Sequence, residues 1–186
     1  CPTTTFDGEA LYRPGREPEP AEIDARRAAW HEPYHATLQH EIQRLRERHA
    51  RIVLYDAHSI RSSVPRLFEG RLPEMNLGTF SGRSCAALLA DEIHSLCNAS
   101  HFSFVGDGRF KGGYITRHYG RPDEGVHAVQ MELACRSYLR EPTGALGSAN
   151  WPPSFDAAFA APLVSVLEQI LNACLQFAAK PSRTSA

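Results

Sequence analysis

Ile52-Val53-Leu54-Tyr55, continuing into Asp56-Ala57-His58-Ser59-Ile60-Arg61, is the stretch that decides the fold. Four consecutive apolar residues, two of them β-branched, suit the interior of a sheet. They predict a strand over 51–57 that ends in an Asp-x-His, with His58 at its tip. A second long strand is predicted over 126–133, where Val-His-Ala-Val-Gln-Met-Glu-Leu shows near period-two alternation. Between the two, Cys85, Leu88, Leu89, Ile93, Leu96 and Cys97 form a mostly apolar helical stripe over 84–99. A short strand over 101–105 then leads into Gly106-Asp107-Gly108. Strands alternating with helices predict an α/β fold, with a central mixed, largely parallel sheet flanked by helices. Ligands of such sheets sit at the carboxyl ends of strands, which is where His58 and Glu132 fall.

The rest of the chain fits around that core. Pro2, Pro14, Pro18 and Pro20, with Gly8 and Gly15, make residues 1–20 an extended lead-in, and Pro20 suits the first turn of a helix. Ile23, Ala28, Trp30, Tyr34, Leu38, Ile42 and Leu45 recur at helical spacing over 21–50, with Pro33 kinking or dividing the element. Pro65, Gly70, Pro73, Gly78 and Gly82 mark 62–82 as a long structured loop, a kind of segment that is often functional. A short strand is expected over 114–118 and a Pro/Gly/Ser loop over 141–153. Asp156 is expected to cap a final helix running to about residue 179, with Phe159, Leu163, Val166, Leu167, Ile170, Leu171 and Cys174 in its stripe. Residues 180–186 read as a frayed tail. We take the 186 residues as a single catalytic-type domain, long enough to bury a core.

Composition narrows the function class. Apolar residues make up 42% and charged residues 22%, as in a globular protein. Twenty Lys and Arg nearly balance 21 Asp and Glu, so no bulk field points to nucleic acid or to an acidic membrane surface. No uninterrupted apolar run is long enough to span a membrane, and no N-terminal signal pattern is present. Five widely spaced cysteines with no C-x-x-C fit a reduced, cytoplasmic protein better than a disulfide scaffold.

The chemistry concentrates in three places. His58 on a strand end is a rigid mount for a metal ion, with Asp56 as a nearby carboxylate able to hold its other ring nitrogen. The bland alternative is a capping or packing histidine. Glu132 has apolar neighbours on both sides, so partial desolvation would raise its pKa and suit it to general-base work. The alternative is a glutamate on the solvent face of an edge strand. Arg109, Lys111, Arg117 and His118 crowd around the Gly112-Gly113 turn, where backbone approaches a ligand closely and cations grip carboxylates. The alternative is a solvated basic loop. One H-x-x-x-H occurs, His31 to His35, but it brackets Pro33 and reads better as a polar helix surface than as a metal pair. Gly106-Asp107-Gly108 lacks a phosphate-binding pattern, and Ser59 has no nucleophile elbow around it.

These residues also resemble a known family. Cys1-Pro2-Thr3-Thr4-Thr5-Phe6-Asp7-Gly8-Glu9 with Leu11-Tyr12, then 55–62, Pro65-Arg66-Leu67-Phe68-Glu69-Gly70, Asn76-Leu77-Gly78-Thr79, 108–122 and Gln130-Met131-Glu132-Leu133 are similar to N-formylglutamate amidohydrolases. The resemblance covers residues 1 to about 140. It implies hydrolysis of N-formyl-L-glutamate to glutamate and formate, the last step of one histidine-degradation route. It also implies a zinc-carboxypeptidase-like (phosphorylase/hydrolase-like) fold and a divalent metal, zinc above others. On that resemblance His58 is the metal-ligating histidine and Glu132 the general base. Arg61, Arg109, Lys111, Arg117 and His118 then bind the substrate.

The chain departs from the family in two respects. Family members carry an upstream region with a Pro-His-Ser-Gly type motif and acidic metal-ligand candidates. This chain has none of it, so it reads as lacking its N-terminal portion, with the remaining metal ligands expected upstream of Cys1. Asp107 stands where an asparagine is common. Two other functions stay open on the residues alone: an amidohydrolase acting on a related N-acyl amino acid, and a truncated, non-catalytic domain that binds an acidic small molecule. In each case the partner is a small anion.

Overall fold

Alternate residues of the two longest strands face opposite layers, and those layers organise the molecule. The computed structural model describes residues 1–143 and 146–180. A four-stranded sheet has the order β1 (Ile52–Ile60), β4 (Val126–Ala134), β2 (Met75–Gly78), β3 (Phe104–Gly106). β1 runs parallel to β4 and β2 parallel to β3, while β2 and β4 are antiparallel. The sheet is therefore mixed, as expected, with its one antiparallel pairing in the middle.

Helices cover it unequally. One face carries Met75, Leu77, Val129 and Met131, which pack with Leu89, Ile93 and Cys97 of α3 (Ala87–Ala99) and with Leu163, Ile170 and Phe177 of α5 (Ala157–Ala179). Full burial of each such aliphatic side chain stabilises the fold by about 2 kcal/mol. The other face is apolar only over its first half. There Ile52, Leu54 and Val126 meet Leu38, Ile42 and Leu45 of α2 (Glu32–Arg46) and Ile115 and Tyr119 of α4 (Tyr114–Tyr119).

Several elements form where the pattern put them. Asp156 caps α5, its carboxylate accepting the amides of Ala158 at 3.0 Å and Phe159 at 3.1 Å. The first helical region is divided: α1 (Pro20–Arg26) passes through a π-helical segment, Arg27–His31, and Pro33 lies in the first turn of α2. α5 is long and apolar enough, by length and composition, to cross a membrane, with a mean hydropathy of 1.5. Most of its expected stripe is core here, but Leu171 of that stripe is exposed, as are Val164 and Leu175.

Other boundaries and one element type differ from expectation. β1 extends to Ile60, so His58 lies inside the strand rather than past its end. The loop predicted over 62–82 contains β2, whose four residues are all buried. Asn76 and Gly78 are poor strand formers, and only the central position of β2 makes it a strand. Residues 114–119 form α4, not a strand. Their β-branched and aromatic composition favours a strand locally, but packing overrides it: Thr116 and Tyr119 are buried, and the Tyr119 hydroxyl bonds His35 Nδ1 at 2.7 Å. The tail expected to fray falls almost wholly on residues 181–186, outside the described residues. All five cysteines are free and only Cys1 is exposed; burial pushes the Cys85 and Cys97 thiols up to about 12, leaving them protonated and inert.

His127 ties β4 to the start of α3. Its Nδ1 accepts the Ala86 amide at 3.1 Å, so Nε2 carries the proton, and the ring packs edge-on against Phe177 at 4.8 Å. Burial, then the charges of Arg51 and Arg46, hold its pKa below the ordinary value. The folded state thus favours the neutral ring, and stability present above about pH 6.5 is lost as pH falls further. The melting temperature should therefore drop between about pH 7.5 and about pH 5.5. His127→Asn, which keeps an acceptor and removes the titration, should flatten that slope; an unchanged slope would refute the assignment.

Candidate active site

Each long strand changes character halfway along a single face. On β1 the alternation runs Ile52, Leu54, then Asp56, His58; on β4 it runs Val126, Ala128, then Gln130, Glu132. The parallel register sets Asp56 beside Gln130 and His58 beside Glu132. From the other side, β2 sets Asn76 beside Glu132 and Gly78 beside Gln130. Neighbours in register share a face, so six residues of polar or glycine character converge where α2 and α4 stop covering the sheet.

Glu132 is 7% exposed, on a strand paired along both edges. Burial pushes its carboxyl above the ordinary glutamate value, and nearby Asp56 adds to this; His58 and a bond from Gln130 act against it. The partial desolvation anticipated from its neighbours is present. Asp56 Oδ1 lies 2.9 Å from His58 Nε2, which fixes the ring and leaves Nδ1 for another partner. Asp56 Oδ2 and Asn76 Oδ1 are buried without a hydrogen-bond partner among the described residues. Asn76 donates to the backbone oxygens of Pro73 at 2.7 Å and Glu132 at 3.0 Å, which pins β2 to β4 at this level.

One ring nitrogen on a carboxylate-supported histidine suits a metal ligand. Among the described residues there is no group of three His, Cys, Asp or Glu able to hold a metal ion.

The cations expected to act together occupy three places. Arg109, Lys111 and Arg117 line a cavity of about 390 Å³ with Phe110, Gly112, Gly113 and Gln130. Its walls are fixed: Arg109 Nε donates to Leu67 O at 2.8 Å and Arg117 to Gly112 O at 2.8 Å. Arg61 lies apart, in a larger cavity of about 600 Å³ with Arg71, Glu141 and Trp151, and one of its nitrogens bonds both Asp7 carboxylate oxygens at 2.8 and 3.0 Å. Neither Glu132 nor His58 lines that larger cavity. His118 stacks on Tyr114 with ring centroids 4.8 Å apart, in an aromatic cluster where Tyr114 also meets His31 and His35 of the helical region 27–46.

Two residues outside the candidate set organise this end of the sheet. Asp107, at φ +48°, accepts bonds from the Thr79 amide at 2.8 Å, the Thr79 hydroxyl and the Ser81 amide at 3.2 Å. Aspartate, like asparagine, tolerates that conformation. Gln130 joins the basic loop to Glu132. Its signal was available in the sequence as a buried amide two residues from a buried carboxylate on one strand face.

A sequence model of the N-formylglutamate amidohydrolase family matches residues 1–139, three quarters of the chain. The chain belongs to this family. Within the N-formylglutamate amidohydrolases it is 44% identical over 180 residues to an N-formylglutamate deformylase of Pseudomonas putida, covering 96% of this chain and 64% of that one. It is 50% identical over 141 residues to an N-formylglutamate deformylase of Pseudomonas aeruginosa, covering 75% and 53%. The chain thus spans less than two thirds of the length of these curated relatives. Its fold is similar to the crystal structure of an N-formylglutamate amidohydrolase from Ralstonia eutropha JMP134, with TM-score 0.68, 21% identity, and 85% of this chain on 54% of that one. It is also similar to the Agrobacterium tumefaciens gene product Atu2144, with TM-score 0.63, 18% identity, and 95% on 62%.

Gly78 tests how tightly the basic loop is seated. A Cβ there would lie 2.7 Å from the Lys111 carbonyl carbon and closer still to the Gly112 amide nitrogen, so the loop backbone rests on the bare glycine. Gly78→Ala should push 111–113 off the sheet, lowering stability by about 1–3 kcal/mol and speeding amide exchange across the loop. Wild-type exchange in that variant would show the loop is not held there.

Proposed function

We propose that this chain carries the general base and the carboxylate-binding cations of an enzyme that hydrolyses N-formyl-L-glutamate to L-glutamate and formate. The observation that carries the reading is the placement of buried Glu132 in register with the Asp56–His58 pair, one side chain away from the Arg109–Lys111–Arg117 cavity. Family membership and the names of the relatives support it.

Glu132 accepts a proton from the attacking water on a carboxylate oxygen and delivers it to the departing amine nitrogen. Burial raises its affinity for that proton toward what the task needs. The guanidinium groups of Arg109 and Arg117 and the ammonium of Lys111 hold the substrate carboxylates, so the formyl carbon is presented in a fixed position. Arg61, bonded to Asp7, orders the lead-in segment beside the neighbouring cavity, and His118 stacks on Tyr114, away from the residues that line the cationic cavity.

His58, oriented by Asp56, is the proposed ligand to a divalent metal, zinc in the first instance, with the remaining ligands upstream of Cys1. Such an ion, when bound, lowers the pKa of water and polarises a carbonyl. A zinc-carboxypeptidase-like fold for the complete enzyme, a place at the end of a histidine-degradation route, and a reducing cytoplasmic location consistent with five free cysteines belong to the same proposal.

The test is formate release from N-formyl-L-glutamate together with zinc content, for this chain and for a form extended upstream. Turnover in the extended form is expected, with Glu132→Gln slowing it by about 10²–10⁴-fold. His58→Ala should lower bound zinc. Near-normal turnover of Glu132→Gln would sink the general-base role, and unchanged zinc in His58→Ala the ligand role. N-formylglycine, which lacks the side-chain carboxylate, should show a raised KM. An equal KM would favour a broader N-acyl amino acid substrate. No metal and no turnover in either form would favour a non-catalytic domain that binds acidic small molecules.

A further inference from the structure

Gln130 sits between the two halves of the site. Its side chain is 5% exposed and makes one bond in each direction. Oε1 accepts the Gly113 amide at 2.6 Å, and Nε2 donates to Glu132 Oε2 at 3.2 Å. The amide cannot be turned round, because a backbone N–H only donates and so demands the oxygen. The NH2 group must then face the carboxylate. Among the described residues no other hydrogen bond reaches the Glu132 carboxylate.

The Gly113 end is equally constrained. Gly113 precedes α4 and closes the turn that carries Arg109 and Lys111, and a Cβ on it would stand 3.2 Å from Gln130 Oε1. Gln130 also forms part of the wall of the cationic cavity. One buried amide therefore touches the carboxylate-binding loop, the start of α4 and the proposed base.

We propose that Gln130 is a positioning residue that couples the cationic loop to Glu132. Its NH2 occupies Oε2 and leaves Oε1 to take the proton, while its carbonyl holds Gly113 so that the loop and the base keep one mutual geometry. A substrate carboxylate drawn between Arg109, Lys111 and Arg117 acts on the same turn that Gln130 anchors, so substrate capture and base orientation share one hydrogen-bonded unit. The inference rests on Glu132 being the base, yet the anchoring of Gly113 can be measured without any turnover.

Two variants separate the two bonds. Gln130→Met, unbranched and similar in size, loses both. Gln130→Glu, when ionised, still accepts from Gly113 but cannot donate to Glu132. In this chain, Gln130→Met should speed Gly113 amide exchange by about tenfold or more, and Gln130→Glu should leave it protected. In the form that turns over N-formyl-L-glutamate, Gln130→Glu should lower kcat by about tenfold or more while KM changes by less than about threefold. Wild-type Gly113 exchange in Gln130→Met, or wild-type kcat in Gln130→Glu, overturns the proposal. If Gln130→Met does not fold, the second variant decides alone. If the wild type releases no formate, the proposed function fails instead. The Gln130 side-chain amide resonances then decide the coupling: they should shift in Glu132→Ala, and unchanged resonances overturn it.

Discussion

The parallel pairing of β1 with β4 is the constraint on which the rest depends. It fixes His58 against Glu132 and Asp56 against Gln130, and a one-residue slip of β4 would turn Gln130 and Glu132 into the α3–α5 core. Such a slip is forbidden by burial. Val129 and Met131 are 0% and 1% exposed, and moving them to the polar face would strand apolar surface there while burying charge in the core. The hydrophobic layer on one side of the sheet thus holds the polar array on the other in register.

That array tolerates burial because most of its polar groups are paired with one another. Asp56 supports His58, Gln130 supports Glu132, and Asn76 bonds the backbone of β4. The pairing is incomplete. Asp56 Oδ2 and Asn76 Oδ1 lack partners among the described residues, and unpaired buried acceptors of this kind cost about 1–3 kcal/mol each. These acceptors flank the Gln130–Glu132 pair on β4, Asp56 from β1 and Asn76 from β2, so local instability is stored beside the buried carboxylate.

The loops above the sheet are fastened by backbone rather than by long side chains. The Phe80 amide donates to Lys111 O at 2.7 Å, Asp107 gathers the donors of Thr79 and Ser81, and Gly78 lets 111–112 lie directly on β2. The cationic side chains can then reach toward a ligand from a seat that does not itself move, which is what carboxylate recognition by several donors requires. Arg61 is outside this arrangement because its strand end faces the lead-in segment, where Asp7 neutralises it.

The sequence by itself determined the α/β class, the two long strands, the capped final helix and the family. It also singled out Glu132, His58 and the basic glycine turn, which the fold brings to one end of the sheet. These are legible because alternation, helical stripes, Asp156 and the quoted motifs are local signals. It did not disclose β2, the helical state of 114–119, the separation of Arg61 and His118 from the other cations, or the bridge through Gln130. Met75–Gly78 is a strand only because β4 and β3 offer it partners on both edges, and α4 is a helix only because Tyr119 and Thr116 find a buried seat. Arg61 and Lys111 look equivalent as letters. Only the packing of distant segments decides that one meets Asp7 and the other a cavity beside Gln130, because such contacts depend on where the chain returns and not on what flanks each residue.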